Sequence, residues 1–303
     1  MNCPQCQKQN HVVKTGIRYS RSGPIQKYYC KSCTKNFTDK TQPYIQYPLH
    51  VILYALESYN KGYPVRQVKT RTGRKYRYSP PLRTIYSWIK KYDTLLSFID
   101  LRKRYQVDPA NIITTKVYAH QQIYPFTFHH LKLNLTAKQL PQLKRYINWI
   151  NRNLQTKMFL QGPRASTQKS SKELIAYKKE SIITKQTKLA LINLNNKNTA
   201  HEKVEQFFII NDSTTVCTEL PVFLNPNETK SFQINTALTG HIDLIQIKNN
   251  RLYVLDFKPN LNHPEKFSSQ LLAYKEAIHH RTQIPKSQII PAVFNQYEYF
   301  EFY

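Results

Sequence analysis

Apolar residues recur along the first part of the chain at intervals of three and four, which predicts helices packed on one face. Three successive helices carry the apolar sets Leu49, Ile52, Leu53, Leu56 and Tyr59; Val65 and Val68; and Leu82, Ile85, Trp88, Ile89 and Tyr92. Lys61-Gly62 ends the first helix and Pro80-Pro81 opens the third. The basic segment from Thr70 to Tyr78 is predicted to be a loop.

The middle of the chain is less regular. Heptad-like spacing predicts a helix of about four turns that could pack within the chain or against a second subunit, so an oligomer stays open. Its apolar residues are Leu140, Leu143, Ile147, Ile150 and Leu154. Residues 161–172, rich in Ser, Lys and Gln around Gly162-Pro163, are typical of an exposed linker.

From Leu189 onward, helical and strand patterns alternate. A helix over 201–208 precedes a strand over 215–223, which contains Glu219. Two further strands meet at Asn249-Asn250, a helix follows Asn262-His263-Pro264, and short strands are predicted over 289–294 and 297–302.

Four of the five cysteines form two C-x₂-C pairs, Cys3 with Cys6 and Cys30 with Cys33. The pairs enclose 23 residues, which carry Tyr19, Tyr28, Tyr29 and a Ser22-Gly23-Pro24 turn typical of a hairpin. Such pairs bind zinc as tetrahedral thiolate sites, and the metal replaces a core too small to fold alone. The sequence therefore predicts a structural Zn²⁺ site.

The net charge of +27 is unevenly distributed. Residues 1–92 carry 18 Lys and Arg against 2 Asp and Glu, residues 93–200 carry 18 against 5, and residues 201–303 carry 9 against 11. The first two thirds thus have the electrostatic character of a DNA-binding protein. No long apolar run or signal peptide is found, so we expect no membrane association and a cytoplasmic protein.

The third predicted helix is polar and basic on its free face, which carries Arg83, Thr84, Ser87, Lys90 and Lys91. Three short helices of this kind match the helix-turn-helix plan, in which the last helix enters the major groove of DNA. With the cysteine pairs, the segments YPLHVILYALESYNKGYPV and TIYSWIKKY resemble the DNA-binding region of insertion-sequence transposases. The loop before the third helix is longer than in that family. A basic bundle that binds protein is the alternative.

Asn249-Asn250 is a turn of the primed type, and closure on Lys248 and Arg251 would place Asp243 opposite Asp256. Their Cβ atoms would lie about 5 Å apart, where like charges are destabilising unless a cation lies between them. Lys258 falls on the same face as Asp256. Two carboxylates and a lysine at one hairpin end can bind Mg²⁺, orient a water and neutralise charge on a phosphate.

The same residues resemble the motifs of RecB-like nucleases in the PD-(D/E)XK superfamily. The matching positions are Gly240 and Asp243, Asp256 to Lys258, and Gln270 with Tyr274. The resemblance implies an αβ sandwich with a mixed sheet and catalytic roles for Asp243, Asp256, Lys258, Gln270 and Tyr274. It implies a Mg²⁺ or Mn²⁺ ion held by the two aspartates, the Phe257 carbonyl and a helical ligand, which is His201 or Glu205. Because Cys217 is the single remaining cysteine, no iron–sulfur cluster is expected.

Together these patterns predict a multidomain α+β protein. Residues 1–44 form a zinc ribbon, 45–95 a helix-turn-helix domain, 96–188 a basic middle region and linker, and 189–303 the nuclease domain. The predicted function is a metal-dependent DNA nuclease, and the domain pairing suggests a mobile element or a defence system as its setting. A catalytically silent DNA-binding regulator or transposition accessory protein is the alternative.

Overall fold

The computed structural model describes residues 2–8, 11–20, 23–38, 47–77, 79–120, 122–153, 159, 162–192 and 200–303. Ser22, Tyr78, Leu154 and Gln161, which belong to predicted elements, lie outside these residues. The described chain is α+β, with helices and a mixed eight-stranded sheet. Each of its helices is too short or too polar to span a bilayer.

The N-terminal unit is a three-stranded antiparallel sheet of β1 (Val12–Ser20), β2 (Gly23–Cys30) and β3 (Lys35–Thr38). Among its described residues, the buried side chains are Cys3, Ile25, Tyr28 and Cys30. A metal held by the cysteines would add to the stability of so small a core.

The next unit contains four helices, α1 (Leu49–Asn60), α2 (Val65–Tyr76), α3 (Leu82–Tyr92) and α4 (Phe98–Arg104). The first three pack on one another around Leu56, Val68 and Ile85, all fully buried. The apolar periodicity therefore predicts these helices and their inner faces correctly.

The prediction of a loop over 70–78 is wrong, because α2 continues to Tyr76. Its basic side chains rest on aromatic rings: the Arg71 guanidinium lies 4.0 Å from the Tyr63 ring centre, and the Lys75 ammonium 4.1 Å from that of Tyr54. At Gly73 an added Cβ would lie 2.9 Å from the Ser79 hydroxyl, so the missing side chain lets the following turn approach closely. The connection between α2 and α3 is consequently short.

The remaining described elements build the large sheet and its helical layers. They are β4 (Ile113–His120), β5 (Gln122–His129), α5 (His130–Thr136), α6 (Pro141–Asn153), β6 (Ala176–Lys178), α7 (Ile182–Ala190), α8 (Ala200–Asn211), β7 (Thr215–Leu224), β8 (Leu238–Lys248), β9 (Arg251–Phe257), α9 (Ser268–Thr282), β10 (Ile289–Phe294) and β11 (Tyr299–Phe302).

The strand order is β4-β5-β7-β8-β9-β10-β11-β6. Only β9 and β10 pair in parallel among these strands, and α9 forms the crossover between them. Three strands, β4, β5 and β6, come from the segment 96–188, which is predicted to be a separate middle region. The sheet therefore extends across the predicted boundary at 188/189, with Phe128 of β5 paired to Cys217 of β7.

The four-helix unit packs against α8. The buried Asn60 side chain at the end of α1 donates a hydrogen bond of 2.9 Å to the Asn211 side chain at the end of α8. Nearby, the Ser97 hydroxyl donates to the Asp212 carboxylate at 3.2 Å. These bonds fix the C-terminal end of α8, whose N-terminal half points its residues into the site described next.

Candidate functional site

The hairpin of β8 and β9 has the predicted register. Asn249 and Asn250 have φ angles of 50° and 58°, the left-handed values that a primed turn requires. Lys248 pairs with Arg251, and the ladder continues to Leu244 and Leu255. Asp243 and Asp256 occupy the next positions along the two strands.

Both aspartates are buried, with 5% of Asp243 and 2% of Asp256 exposed. The Phe257 amide donates to Asp243 Oδ2 at 2.7 Å, and Lys258 Nζ lies 2.6 Å from Asp256 Oδ2. Burial, together with the charge of Asp256, raises the pKa of Asp243 well above its usual range. Burial lowers the pKa of Lys258, but the two aspartates outweigh it and the net shift is upward.

The N-terminal half of α8 brings both helical candidates to the hairpin end. His201 Nε2 lies 2.9 Å from the Phe257 carbonyl and 3.9 Å from Asp243 Oδ2. Glu205, one turn later, is buried next to Glu219 and Asp243. Burial, with Glu219 and Asp243 nearby, raises the pKa of Glu205 to about 11. The structure thus brings His201 and Glu205 to the same cavity.

Glu219 is a member of the site that the sequence pattern does not single out. It lies in β7 between Thr218, which pairs with Leu244, and Leu220, which pairs with Ile242, so it stands across from Asp243. Its φ of 51° is left-handed, which is uncommon for a residue with a side chain. The signal available in the sequence is one acid within a strand that is otherwise almost entirely apolar.

His241 contacts the Glu219 carboxylate, and Arg164 supports the opposite side of the His241 ring. His241 Nδ1 contacts Glu219 Oε2, while Arg164 Nη2 lies 3.1 Å from His241 Nε2 and donates to the Tyr124 hydroxyl at 2.8 Å. Since Arg164 can only donate, His241 Nε2 accepts and Nδ1–H donates to Glu219. This bond lowers the pKa of Glu219, although burial alone would raise it.

Arg164 belongs to the segment predicted to be an exposed linker, and over residues 163–165 that prediction is wrong, whereas most of residues 166–172 are exposed. The Ala165 amide donates to the Thr239 carbonyl at 2.8 Å, and the Thr239 amide donates to the Pro163 carbonyl at 2.9 Å. These bonds attach the segment to the start of β8 and direct Arg164 to the cavity.

Gln270 and Tyr274 of α9 close the cavity floor. Gln270 Nε2 donates to the Tyr274 hydroxyl at 2.8 Å, and both side chains are buried. A Cβ added at Gly240 would lie 2.6 Å from Tyr274 Cε1. The glycine is therefore required for the close approach of α9 to β8.

These residues line one cavity of about 370 Å³. Its charged and polar lining includes His201, Glu202, Glu205, Glu219, His241, Asp243, Asp256, Lys258, Arg164, Gln270 and Tyr274. Three of these residues, Glu219, His241 and Asp243, each have one potential metal-ligand atom within 4.8 Å of those of the other two. Four buried carboxylates repel one another in a low-dielectric site, and oxygen-rich sites of this kind suit a hard divalent cation. The residues present thus fit a Mg²⁺ or Mn²⁺ ion.

A second group that could hold a metal is formed by Cys3, Cys6, Cys30 and Cys33. The Sγ atoms of Cys3 and Cys33 lie 3.5 Å apart, and those of Cys6 and Cys30 lie 3.6 Å apart. Thiolates about 2.3 Å from a tetrahedral zinc ion are separated by about 3.8 Å. The four cysteines could therefore bind zinc after little adjustment.

The predicted DNA-facing residues all lie on the outer face of α3. Arg83, Ser87, Lys90 and Lys91 are exposed and Thr84 is half-buried, whereas Ile85, Trp88 and Ile89 point into the helical core. This basic face forms no part of the cavity lining, so the structure keeps the two candidate surfaces separate.

Comparison with known proteins finds no matching family model, no matching curated protein and no matching solved structure.

Proposed function

We propose that this protein is a metal-dependent deoxyribonuclease with a RecB-like PD-(D/E)XK catalytic domain. The observation that carries the proposal is the juxtaposition of Asp243, Asp256 and Lys258 at one end of the β8–β9 hairpin, in a cavity with His201 and Glu205. Buried carboxylates with raised pKa values are costly to stability, and their concentration in one cavity is typical of a functional site.

Asp243, Asp256, the Phe257 carbonyl and either His201 or Glu205 would hold the ion, with Glu219 beside them. A bound Mg²⁺ or Mn²⁺ would supply Lewis acidity and lower the pKa of a coordinated water. Lys258, kept charged by the two aspartates, would orient the attacking water and neutralise the charge that develops on the phosphate. Gln270 and Tyr274, which are hydrogen-bonded to each other at the cavity floor, would position the reacting groups.

Delivery of DNA is the role that we assign to the rest of the chain. The cysteine unit would be a zinc ribbon, and α1 to α3 a helix-turn-helix with α3 in the major groove. The short connection after α2 fits this plan better than the long loop expected from the sequence. Since the four-helix unit packs against α8, DNA held by α3 would be fixed relative to the cavity.

The test is a cleavage assay of the full chain with Mg²⁺ or Mn²⁺ on linear, circular, single-stranded and branched DNA. We expect cleavage by the wild type and by the control Asp100→Asn, an exposed acid with the same charge change. Asp256→Asn should lose at least about a hundredfold in rate and still bind DNA. Failure of any divalent ion to support cleavage, or wild-type rates for Asp256→Asn, would leave the DNA-binding regulator as the better explanation.

A further inference from the structure

A second cleft of about 530 Å³ lies between α6 and the C-terminal end of α9, and the proposed catalysis makes no use of it. Trp149 of α6 forms one wall and is 46% exposed. The ring of Phe223 on β7 lies 6.4 Å from the Trp149 ring. None of the described residues that line the cleft is acidic.

The Trp149 ring is held in place from within the protein. Tyr146, one turn earlier, stacks on it at 6.2 Å with an interplanar angle of 12°. Tyr146 is itself buried and donates a hydrogen bond of 2.8 Å to the Pro221 carbonyl. A ring fixed in this way loses little conformational entropy when a planar ligand stacks on it.

The surroundings of the cleft are basic. Arg145 and Arg152 are exposed on α6, four residues before and three residues after Trp149, so they flank it on one helix face. Arg281 lies over the Phe223 ring at 4.1 Å and pairs with Glu228. Over residues 109–172 the sequence has ten Lys and Arg and no Asp or Glu. A segment of this length without a carboxylate favours a polyanion over a protein surface of mixed charge.

The cleft is also close to the candidate catalytic cavity. Phe223 lies four residues beyond Glu219 on β7, a distance of roughly 13 Å along the strand. Arg164, which lines the cavity, belongs to the same acid-free segment as α6. One oligonucleotide could therefore reach both places.

We propose that this cleft binds single-stranded DNA, with an unpaired base stacked on Trp149 and flanking phosphates held by Arg145 and Arg152. An aromatic platform beside basic side chains is the arrangement by which proteins hold unpaired bases. The inference rests on the proposed function for its choice of DNA as ligand, and it adds that the strand near the cavity is unpaired.

The experiment uses intrinsic fluorescence of the full chain in EDTA, so that no cleavage occurs. The chain has two tryptophans, and Trp88 is buried in the helical core, with 7% exposed. A short oligothymidylate should quench wild-type emission in a saturable manner. Trp149→Leu, which leaves Trp88 as the reporter, should show little quenching. Fluorescence anisotropy of a dye-labelled oligothymidylate should show that this variant binds between about fivefold and a hundredfold more weakly than the wild type. Tyr177→Leu, which removes an exposed aromatic ring at the β6 edge, should behave as the wild type.

A duplex of the same length should quench Trp149 far less than the single strand. Equal affinity of Trp149→Leu and the wild type for the oligonucleotide would overturn the proposal, as would equal quenching by the duplex. Thermal melting of each variant checks that it is folded. Because no free Mg²⁺ or Mn²⁺ is present, these results are independent of the cleavage assay. DNA binding in the cleft could be refuted while Asp256 proves essential for cleavage, or the reverse.

Discussion

The Phe257 amide donates a 2.7 Å hydrogen bond to the carboxylate of Asp243 on the neighbouring strand. The bond links Asp243 on β8 to the backbone of the Asp256 to Lys258 motif on β9. The hairpin therefore fixes the orientation of the Asp243 carboxylate before any metal or substrate binds. A carboxamide at this position could still accept the bond, which makes Asp243→Asn a test of charge with little change in structure.

We expect Asp243→Asn to lose at least about a hundredfold in cleavage rate and to keep its affinity for DNA. In EDTA its melting temperature should equal or exceed that of the wild type, because one of several mutually repelling buried carboxylates is removed. Mg²⁺ or Mn²⁺ should raise the melting temperature of the wild type and of Asp100→Asn, but not that of Asp243→Asn. An equal metal-dependent rise in all three proteins would contradict the assignment of Asp243 as a ligand.

Gly240→Ala should destabilise the large sheet by about 1–3 kcal/mol, because the new methyl group would overlap the Tyr274 ring. Removing the ring with Tyr274→Leu should reduce this cost. Chemical denaturation of the two single variants and the double variant gives the interaction energy directly. Strictly additive effects would show that the Gly240–Tyr274 approach is not the reason for the glycine.

Cys30→Ser should lower the zinc content of the purified protein, unfold the β1–β3 sheet and weaken DNA binding, while the eight-stranded sheet stays folded. Metal analysis of the wild type should find one zinc per chain. Cys217→Ala is the matched control, since Cys217 is buried in the large sheet away from the cluster. Zinc-free wild-type protein, or a reduced zinc content in Cys217→Ala, would refute the assignment.

Changing Arg83 and Lys90 together to Ala should weaken DNA binding and make its salt dependence shallower by about one unit for each phosphate that these side chains neutralise. Cleavage at saturating DNA should persist, because neither side chain lines the cavity. Replacing Lys188 and Arg251, two exposed cations elsewhere, removes the same charge and should leave the salt slope nearly unchanged. Identical slopes for the wild type and the α3 variant would mean that another surface faces DNA.

The features that depend on local chemistry follow from the amino-acid sequence alone. Consecutive asparagines tolerate the left-handed φ that a primed turn needs. Because a two-residue turn allows a single pairing register for the two strands, the position of Asp243 opposite Asp256 follows from their spacing in the sequence. Within each C-x₂-C pair the two cysteines are close because of their spacing, and the outer face of α3 follows from its helical periodicity. In each case the interacting residues are close in the chain, or a single tight turn determines which residues of the two strands pair.

Tertiary structure alone decided the rest, because it depends on segments far apart in the chain. The pairing of Phe128 with Cys217 adds β5 to the large sheet. A periodic sequence pattern can predict a strand, but it does not indicate which other strand it will pair with. The attachment of residues 163–165 to Thr239 turns a predicted linker into the support for Arg164. Glu219 enters the site through a left-handed backbone within a strand, a conformation that its sequence neighbours do not require and that the surrounding packing has to stabilise.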